Sequence, residues 1–163
     1  MKQKQVILTK EEINNKINRI AVSIIESFYL EKEITIVGFE KNGYIIGEKL
    51  KKLIEKKQGI KISLHKIIHN HNNQYTIKPE LQKETQKNIF LVDDVLKSGK
   101  TIIYGIKEIL KKDINSLKTI ILVNRNHHKF PVSADYVGLN LSTTLKDHIE
   151  VVLTNKKEIV YLV

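Results

Sequence analysis

Apolar positions in the first part of the chain recur at helical spacing. Ile13, Ile17, Ile20, Ala21 and Ile24 form one stripe, the signature of an amphipathic helix packed on a core. In front of it, Thr9 and Glu12 make a capping-box pair, in which hydroxyl and carboxylate satisfy each other's backbone donors. The period then changes. Ile34-Thr35-Ile36-Val37 is a short β-branched run ending at Gly38, which predicts a buried strand. Helical spacing returns with Ile45, Ile46, Leu50, Leu53 and Ile54 until Gly59 stops it. Residues 60–68 alternate, with Ile60, Ile62 and Leu64 separated by polar positions, and predict another strand.

From His69 to Lys87 the polar stretch shows no convincing period. The run Ile89-Phe90-Leu91-Val92 predicts a strand, followed by a turn and a helix with Ile102, Ile103, Ile106, Ile109 and Leu110 inward. Further strands are expected at residues 119–123, 136–137, 149–153 and 159–163. Strands alternating with helices argue for an α/β fold, a mostly parallel central sheet flanked by helices. Ligands of such sheets bind beyond the carboxyl ends of the strands. The residues after Val37, Val92 and Val123 are therefore the ones to inspect.

After Val92 come two adjacent acids, Asp93 and Asp94. Unpaired carboxylates are costly to bury, but they accept strong hydrogen bonds from a sugar diol. The turn Leu96-Lys97-Ser98-Gly99-Lys100-Thr101 then opens the predicted helix. Its backbone N–H groups and dipole make a phosphate seat, with the Ser98 and Thr101 hydroxyls as added donors. Gly99-Lys100-Thr101 also suggests a nucleotide-triphosphatase loop. That loop requires a glycine five residues earlier, where Asp94 stands, and its carboxylate would repel the phosphates.

Composition narrows the rest. The 163 residues are 41% hydrophobic and 28% charged, ordinary for one folded domain. The absence of cysteine excludes disulfides and thiolate metal sites. No apolar run reaches the ~20 residues that span a bilayer, so no membrane association and a cytoplasmic location are expected. Net charge is +10, carried almost wholly by lysine, a mobile point charge suited to steering polyanions. His69 and His71, and the pair His127-His128, lack a third ligand at metal-binding spacing; no protein metal site is expected.

The segment Val92-Asp93-Asp94-Val95-Leu96-Lys97-Ser98-Gly99-Lys100-Thr101 resembles the phosphoribosyl-pyrophosphate motif of type I phosphoribosyltransferases. The subfamily resembled is that of pyrimidine operon regulators that are also uracil phosphoribosyltransferases. Supporting stretches are Ile7-Leu8-Thr9, Val37-Gly38 through Gly43, Val123-Asn124-Arg125-Asn126-His127 and Pro131 through Gly138. The likeness fails between about His65 and Lys87.

This resemblance implies the type I phosphoribosyltransferase fold with a small C-terminal hood, and a likewise implied homodimer or higher homo-oligomer. It implies transfer of a phosphoribosyl group from phosphoribosyl pyrophosphate to a nucleobase, a pyrimidine such as uracil. Mg²⁺ would arrive carried by the pyrophosphate. Asp93 and Asp94 would be catalytic and hold the ribose hydroxyls, Val95 and Leu96 would line the same site, and Lys97, Ser98, Gly99, Lys100 and Thr101 would bind the 5-phosphate. Lys41, Asn42 and Gly43 would face pyrophosphate, and Arg125, Tyr136 and Val137 the base.

The alternative function is a nucleotide-sensing, RNA-binding regulator of pyrimidine genes with little transferase activity. Three departures bear on the choice. Asn42 replaces an arginine of the subfamily, and the Tyr-Arg-Asp-Asp stretch of its flexible loop is missing near Leu64-His65-Lys66-Ile67-Ile68. Ser133 and Leu139 occupy positions that are usually basic there. His69, His71, Tyr75 and Lys78 are candidates for a substitute lid.

Overall fold

A computed structural model describes residues 4–82, 88–126, 128–142 and 148–163. His127 and the end of the polar stretch, residues 83–87, lie outside the described residues. The order is β1 (Gln5–Leu8), α1 (Lys10–Phe28), β2 (Glu33–Phe39), α2 (Asn42–Gln58), β3 (Lys61–Asn70), a 3₁₀ turn (His71–Asn73) and β4 (Gln74–Lys78). Then come β5 (Asn88–Leu96), α3 (Lys100–Ile109), β6 (Ser116–Arg125), β7 (Tyr136–Leu141), β8 (Ile149–Leu153) and β9 (Glu158–Leu162). No helix is long and apolar enough to cross a membrane among the described residues.

Six strands form the main sheet in the order β4-β3-β2-β5-β6-β7. All neighbours are parallel except β3 and β4. The chain steps outward from β2 to β3, then returns to the other side of β2 for β5. The order therefore reverses between β2 and β5, which is where open α/β sheets leave a crevice.

The predicted apolar stripes are the core. Ile13, Ile17, Ile20, Ala21 and Ile24 of α1 are buried beside Ile46, Leu50 and Ile54 of α2, over Phe90, Val92, Ile120 and Leu122. On the opposite face Ile102 and Ile109 of α3 cover Ile89, Leu91 and Ile121. Strands buried on both faces carry continuous apolar runs instead of alternation, as residues 89–92 do. The capping box forms as expected, with the Thr9 N–H donating to Glu12 Oε2 at 2.8 Å. Leu110 was expected inward but is 57% exposed, because α3 ends at Ile109 and Leu110 is its C-cap.

Strands β1 and β4 have no counterpart in the sequence reading. β4 pairs with the end of β3, from Lys66↔Lys78 to Asn70↔Gln74, so part of the polar stretch is a hairpin. His65 fastens its return: Ser63 Oγ lies 2.8 Å from Nε2, and Nδ1 lies 2.7 Å from the Pro79 carbonyl. A carbonyl only accepts, so Nδ1 carries the proton and Nε2 accepts from Ser63. The hood is a three-stranded antiparallel sheet in the order β1-β9-β8. It is thus not wholly C-terminal, since the N-terminal strand β1 forms one of its edges.

Candidate active site

Two loops flank the crevice between β2 and β5. The first, Glu40-Lys41 after β2, is tight. Lys41 has φ 69° and ψ −109°, a conformation costing a non-glycine residue about 1–3 kcal/mol. Neighbours hold it there: Glu40 N–H donates to the Ile67 carbonyl at 2.9 Å, and the Lys41 carbonyl accepts from Ile45 N–H at 3.1 Å. Close approach explains the glycine that follows. A Cβ on Gly43 would meet the Val92 carbonyl oxygen at 2.5 Å and Asp93 Cα at 3.3 Å. Only a bare α-carbon lets the start of α2 lie directly on the end of β5.

The second loop is Lys97-Ser98-Gly99. β5 continues through the acidic pair, with Asp93 opposite Ile121 and Leu96 opposite Asn124 of β6. The acids therefore belong to the strand rather than to the turn expected to follow Val92. Alternation along β5 sends neighbouring side chains to opposite faces. Asp94 follows Phe90 and Val92 toward α2 and the hood; Asp93 follows Ile89 and Leu91 toward α3.

Asp94 is well held. Val95 N–H donates to Oδ1 at 2.8 Å, and the Asn42 amide donates to Oδ2 at 2.7 Å. Asp93 accepts from Asp94 N–H at 2.9 Å. Desolvation by its surroundings, followed by the like charge of Asp94, raises the Asp93 carboxyl well above the ordinary carboxylate range. Beside it lies an aromatic cluster that the sequence did not announce. Tyr75 of β4 stacks on Tyr104 of α3 at 5.5 Å and meets Phe39 edge-on at 6.1 Å. Burial first, then the neighbouring Tyr104 and Asp93, pushes the Tyr75 hydroxyl upward. Of the lid candidates, Tyr75 packs here and His69 leans on its ring at 4.8 Å. His71 lies in the 3₁₀ turn and Lys78 ends β4.

Gly99, with φ 86°, turns the chain into α3. The Ser98 carbonyl accepts from the N–H groups of Lys129 and Phe130 at 3.0 and 3.1 Å. The first-turn amides of α3 have no carbonyl a turn before them; of these, Lys100 N–H donates to Ser98 Oγ at 3.3 Å. Lys97, Lys100 and Thr101 are exposed around this turn. An acid pair and a helix N-terminus, both at the carboxyl end of β5, match a sugar phosphate.

Comparison with known proteins agrees with that geometry. The model of the phosphoribosyl transferase domain matches residues 5–154. The chain belongs to the phosphoribosyltransferase family. Among its relatives, the bifunctional protein PyrR of Fusobacterium nucleatum is 31% identical, over 97% of each chain. The PyrR of Clostridium acetobutylicum is 30% identical over 93% of this chain and 91% of its own. The fold is shared with hypoxanthine phosphoribosyltransferase of Trypanosoma cruzi bound to IMP, at a TM-score of 0.77 and 16% identity, covering 97% of this chain and 88% of that one. A hypoxanthine-guanine phosphoribosyltransferase of Bacillus anthracis gives 0.74 at 19% identity, covering 89% and 86%. The chain is thus a phosphoribosyltransferase, and its mostly parallel sheet is that family's.

Within this phosphoribosyltransferase, Asn42, Gly43, Asp93, Asp94 and the 97–101 turn come together. The residues assigned to the base do not form one cluster. Arg125 is buried at the carboxyl end of β6, opposite Leu141. Val137 is level with Asp93 across the sheet, through Ile121, and its carbonyl accepts from Arg19 of α1 at 2.8 Å. Tyr136 lies toward the start of β7, its ring 6.0 Å from that of Phe90 in the core. Asp135 serves the same remote end, accepting from Thr119 N–H at 2.8 Å. Sequence reading missed Tyr104 and the hood residues His148 and Val151. Tyr104 and Val151 carried only ordinary helical and β patterning, and His148, just ahead of β8, carried none.

Proposed function

We propose that this phosphoribosyltransferase joins the ribose 5-phosphate of phosphoribosyl pyrophosphate to a ring nitrogen of a pyrimidine base, uracil being the first candidate. The observation that carries the site assignment is the convergence at the β2/β5 crevice. Asp93 and Asp94 meet there with the α3 N-terminus and the strained Lys41 loop. Asp93 and Asp94 hold the ribose hydroxyls, and the 97–101 turn seats the 5-phosphate. Lys41 and the backbone at Gly43 face the pyrophosphate. The bond from the anomeric carbon to the pyrophosphate oxygen breaks, the pyrophosphate leaving with the electron pair. A bond to the base nitrogen forms, and that nitrogen loses its proton to the departing pyrophosphate or to water. The protein supplies position and charge complementarity to the positive sugar centre.

Mg²⁺ suits these donors. The Asp93 and Asp94 carboxylates are hard oxygen donors of the kind this ion takes, and the ion would arrive held mainly by pyrophosphate oxygens, where it would neutralise charge on the leaving group. Of the residues assigned to the base, Arg125 lies at the carboxyl end of β6 and Val137 at the level of Asp93, while Tyr136 packs beside Phe90 in the core. The family likeness supports a cytoplasmic homo-oligomer.

The test is calorimetric titration with phosphoribosyl pyrophosphate and Mg²⁺, followed by a base panel with product detection. Uridine monophosphate and pyrophosphate are the expected products. No binding, or binding unchanged in the Asp93→Asn, Asp94→Asn double variant, overturns the assignment.

A second reading, sensing of a pyrimidine nucleotide by an RNA-binding regulator, draws on the +10 charge and on Lys52, Lys56 and Lys57, exposed together on α2. It requires sequence-selective RNA binding that uridine monophosphate modulates. Uniform binding that vanishes steeply with salt is the non-specific phosphate term alone.

A further inference from the structure

Asn42 stands where three segments meet. Its amide nitrogen donates to Asp94 Oδ2 at 2.7 Å and to the carbonyl of Val151 in β8 at 2.9 Å. A side-chain amide has two N–H donors, and both are spent inside the protein. What Asn42 still offers is a carbonyl oxygen, an acceptor of the wrong polarity for pyrophosphate. Asp94, in contrast, keeps capacity. Each carboxylate oxygen accepts about two hydrogen bonds, so Oδ1 and Oδ2 can still receive a sugar hydroxyl after binding Val95 N–H and Asn42. The hood touches the other loop as well, with Lys97 Nζ 3.2 Å from His148 Nδ1. His148 closes the far end of β8 by exchanging backbone hydrogen bonds with Val163 at 2.8 and 3.0 Å.

We propose that Asn42 is a positioning residue that fixes Asp94 for the ribose and latches the hood onto the sugar site, and is not a ligand of the pyrophosphate. This deepens the function proposed above and rests on it. It predicts that the ribose end of the ligand, not the pyrophosphate end, senses Asn42. It also predicts that the hood tightens when the ribose is bound.

The experiment separates the two ends by using ribose 5-phosphate and Mg²⁺-pyrophosphate as distinct probes of the full chain. For Asn42→Ala the Kd of ribose 5-phosphate rises about tenfold or more, the scale of losing a charge-assisted bond. The Kd of pyrophosphate stays within about twofold, and the KM for phosphoribosyl pyrophosphate rises while kcat changes less. Asn42→Asp, which sets an acceptor against Asp94, weakens ribose 5-phosphate further than Asn42→Ala does. A measurement on the unaltered chain covers the case of a variant that does not fold. Ribose 5-phosphate slows amide exchange at residues 149–153, and pyrophosphate alone does not. Weakened pyrophosphate with unchanged ribose 5-phosphate, or hood protection by pyrophosphate alone, overturns the inference and leaves the transferase assignment standing. Failure of the unaltered chain to bind either probe overturns both.

Discussion

Gly99→Ala tests the claim that backbone geometry builds the phosphate seat. Gly99 adopts φ 86°, and an added Cβ would stand 2.5 Å from Val132 Cγ1 and 3.4 Å from the Phe130 carbonyl oxygen. Two costs follow. Holding alanine in a left-handed conformation costs about 1–2 kcal/mol, and overpacking against the 130–132 segment costs about 1–3 kcal/mol. The sum is about 2–5 kcal/mol of stability, read as a shift in the denaturant midpoint at unchanged slope. The same displacement moves the first-turn amides of α3, so phosphoribosyl pyrophosphate affinity falls about tenfold or more. Val132→Ala provides the internal control. Combined with Gly99→Ala it relieves the contact and recovers the packing part, leaving about 1–2 kcal/mol from φ alone. A Gly99→Ala protein within about 0.5 kcal/mol of the parent, with unchanged affinity, would refute this account of the loop.

Other outcomes follow from the same site. Asp93→Asn abolishes measurable phosphoribosyl pyrophosphate binding yet stabilises the free protein at neutral pH, because a desolvated charge beside Asp94 is removed; paired calorimetry and denaturation check it. The pH dependence has a definite sign. Because burial and Asp94 raise the folded-state pKa of Asp93, the native state holds more protons than the unfolded one between the two values. Stability contributed by this group is present below the unfolded pKa and is lost as pH rises through the folded one; in Asp93→Asn that fall disappears from denaturation curves taken at successive pH values. Gly43→Ala, whose Cβ would meet the Val92 carbonyl oxygen at 2.5 Å, loses about 1–3 kcal/mol together with pyrophosphate affinity; a variant that keeps both contradicts the close-approach argument. Tyr75→Ala removes the ring stacked on Tyr104, costs about 1–3 kcal/mol and speeds proteolysis in the β3–β4 hairpin ahead of the core.

The sequence alone determined the elements whose own periodicity forced them. The α1 stripe, the capping box, the apolar strand before Asp93 and the α/β alternation all follow from local preference and burial, which short windows of residues encode. The acid pair and the small-residue turn were legible for the same reason, since their chemistry is written in consecutive residues. Tertiary structure decided whatever depends on distant neighbours. β1 is four residues long and joins the hood by pairing with β9, and β4 is held by its pairing with β3 and the Tyr75–Tyr104 stack. The strain at Lys41, the brace on the Ser98 carbonyl and the tie from Asn42 to Asp94 and Val151 are likewise invisible to periodicity. Each joins residues far apart in the chain, and only the packed sheet brings them within hydrogen-bonding reach.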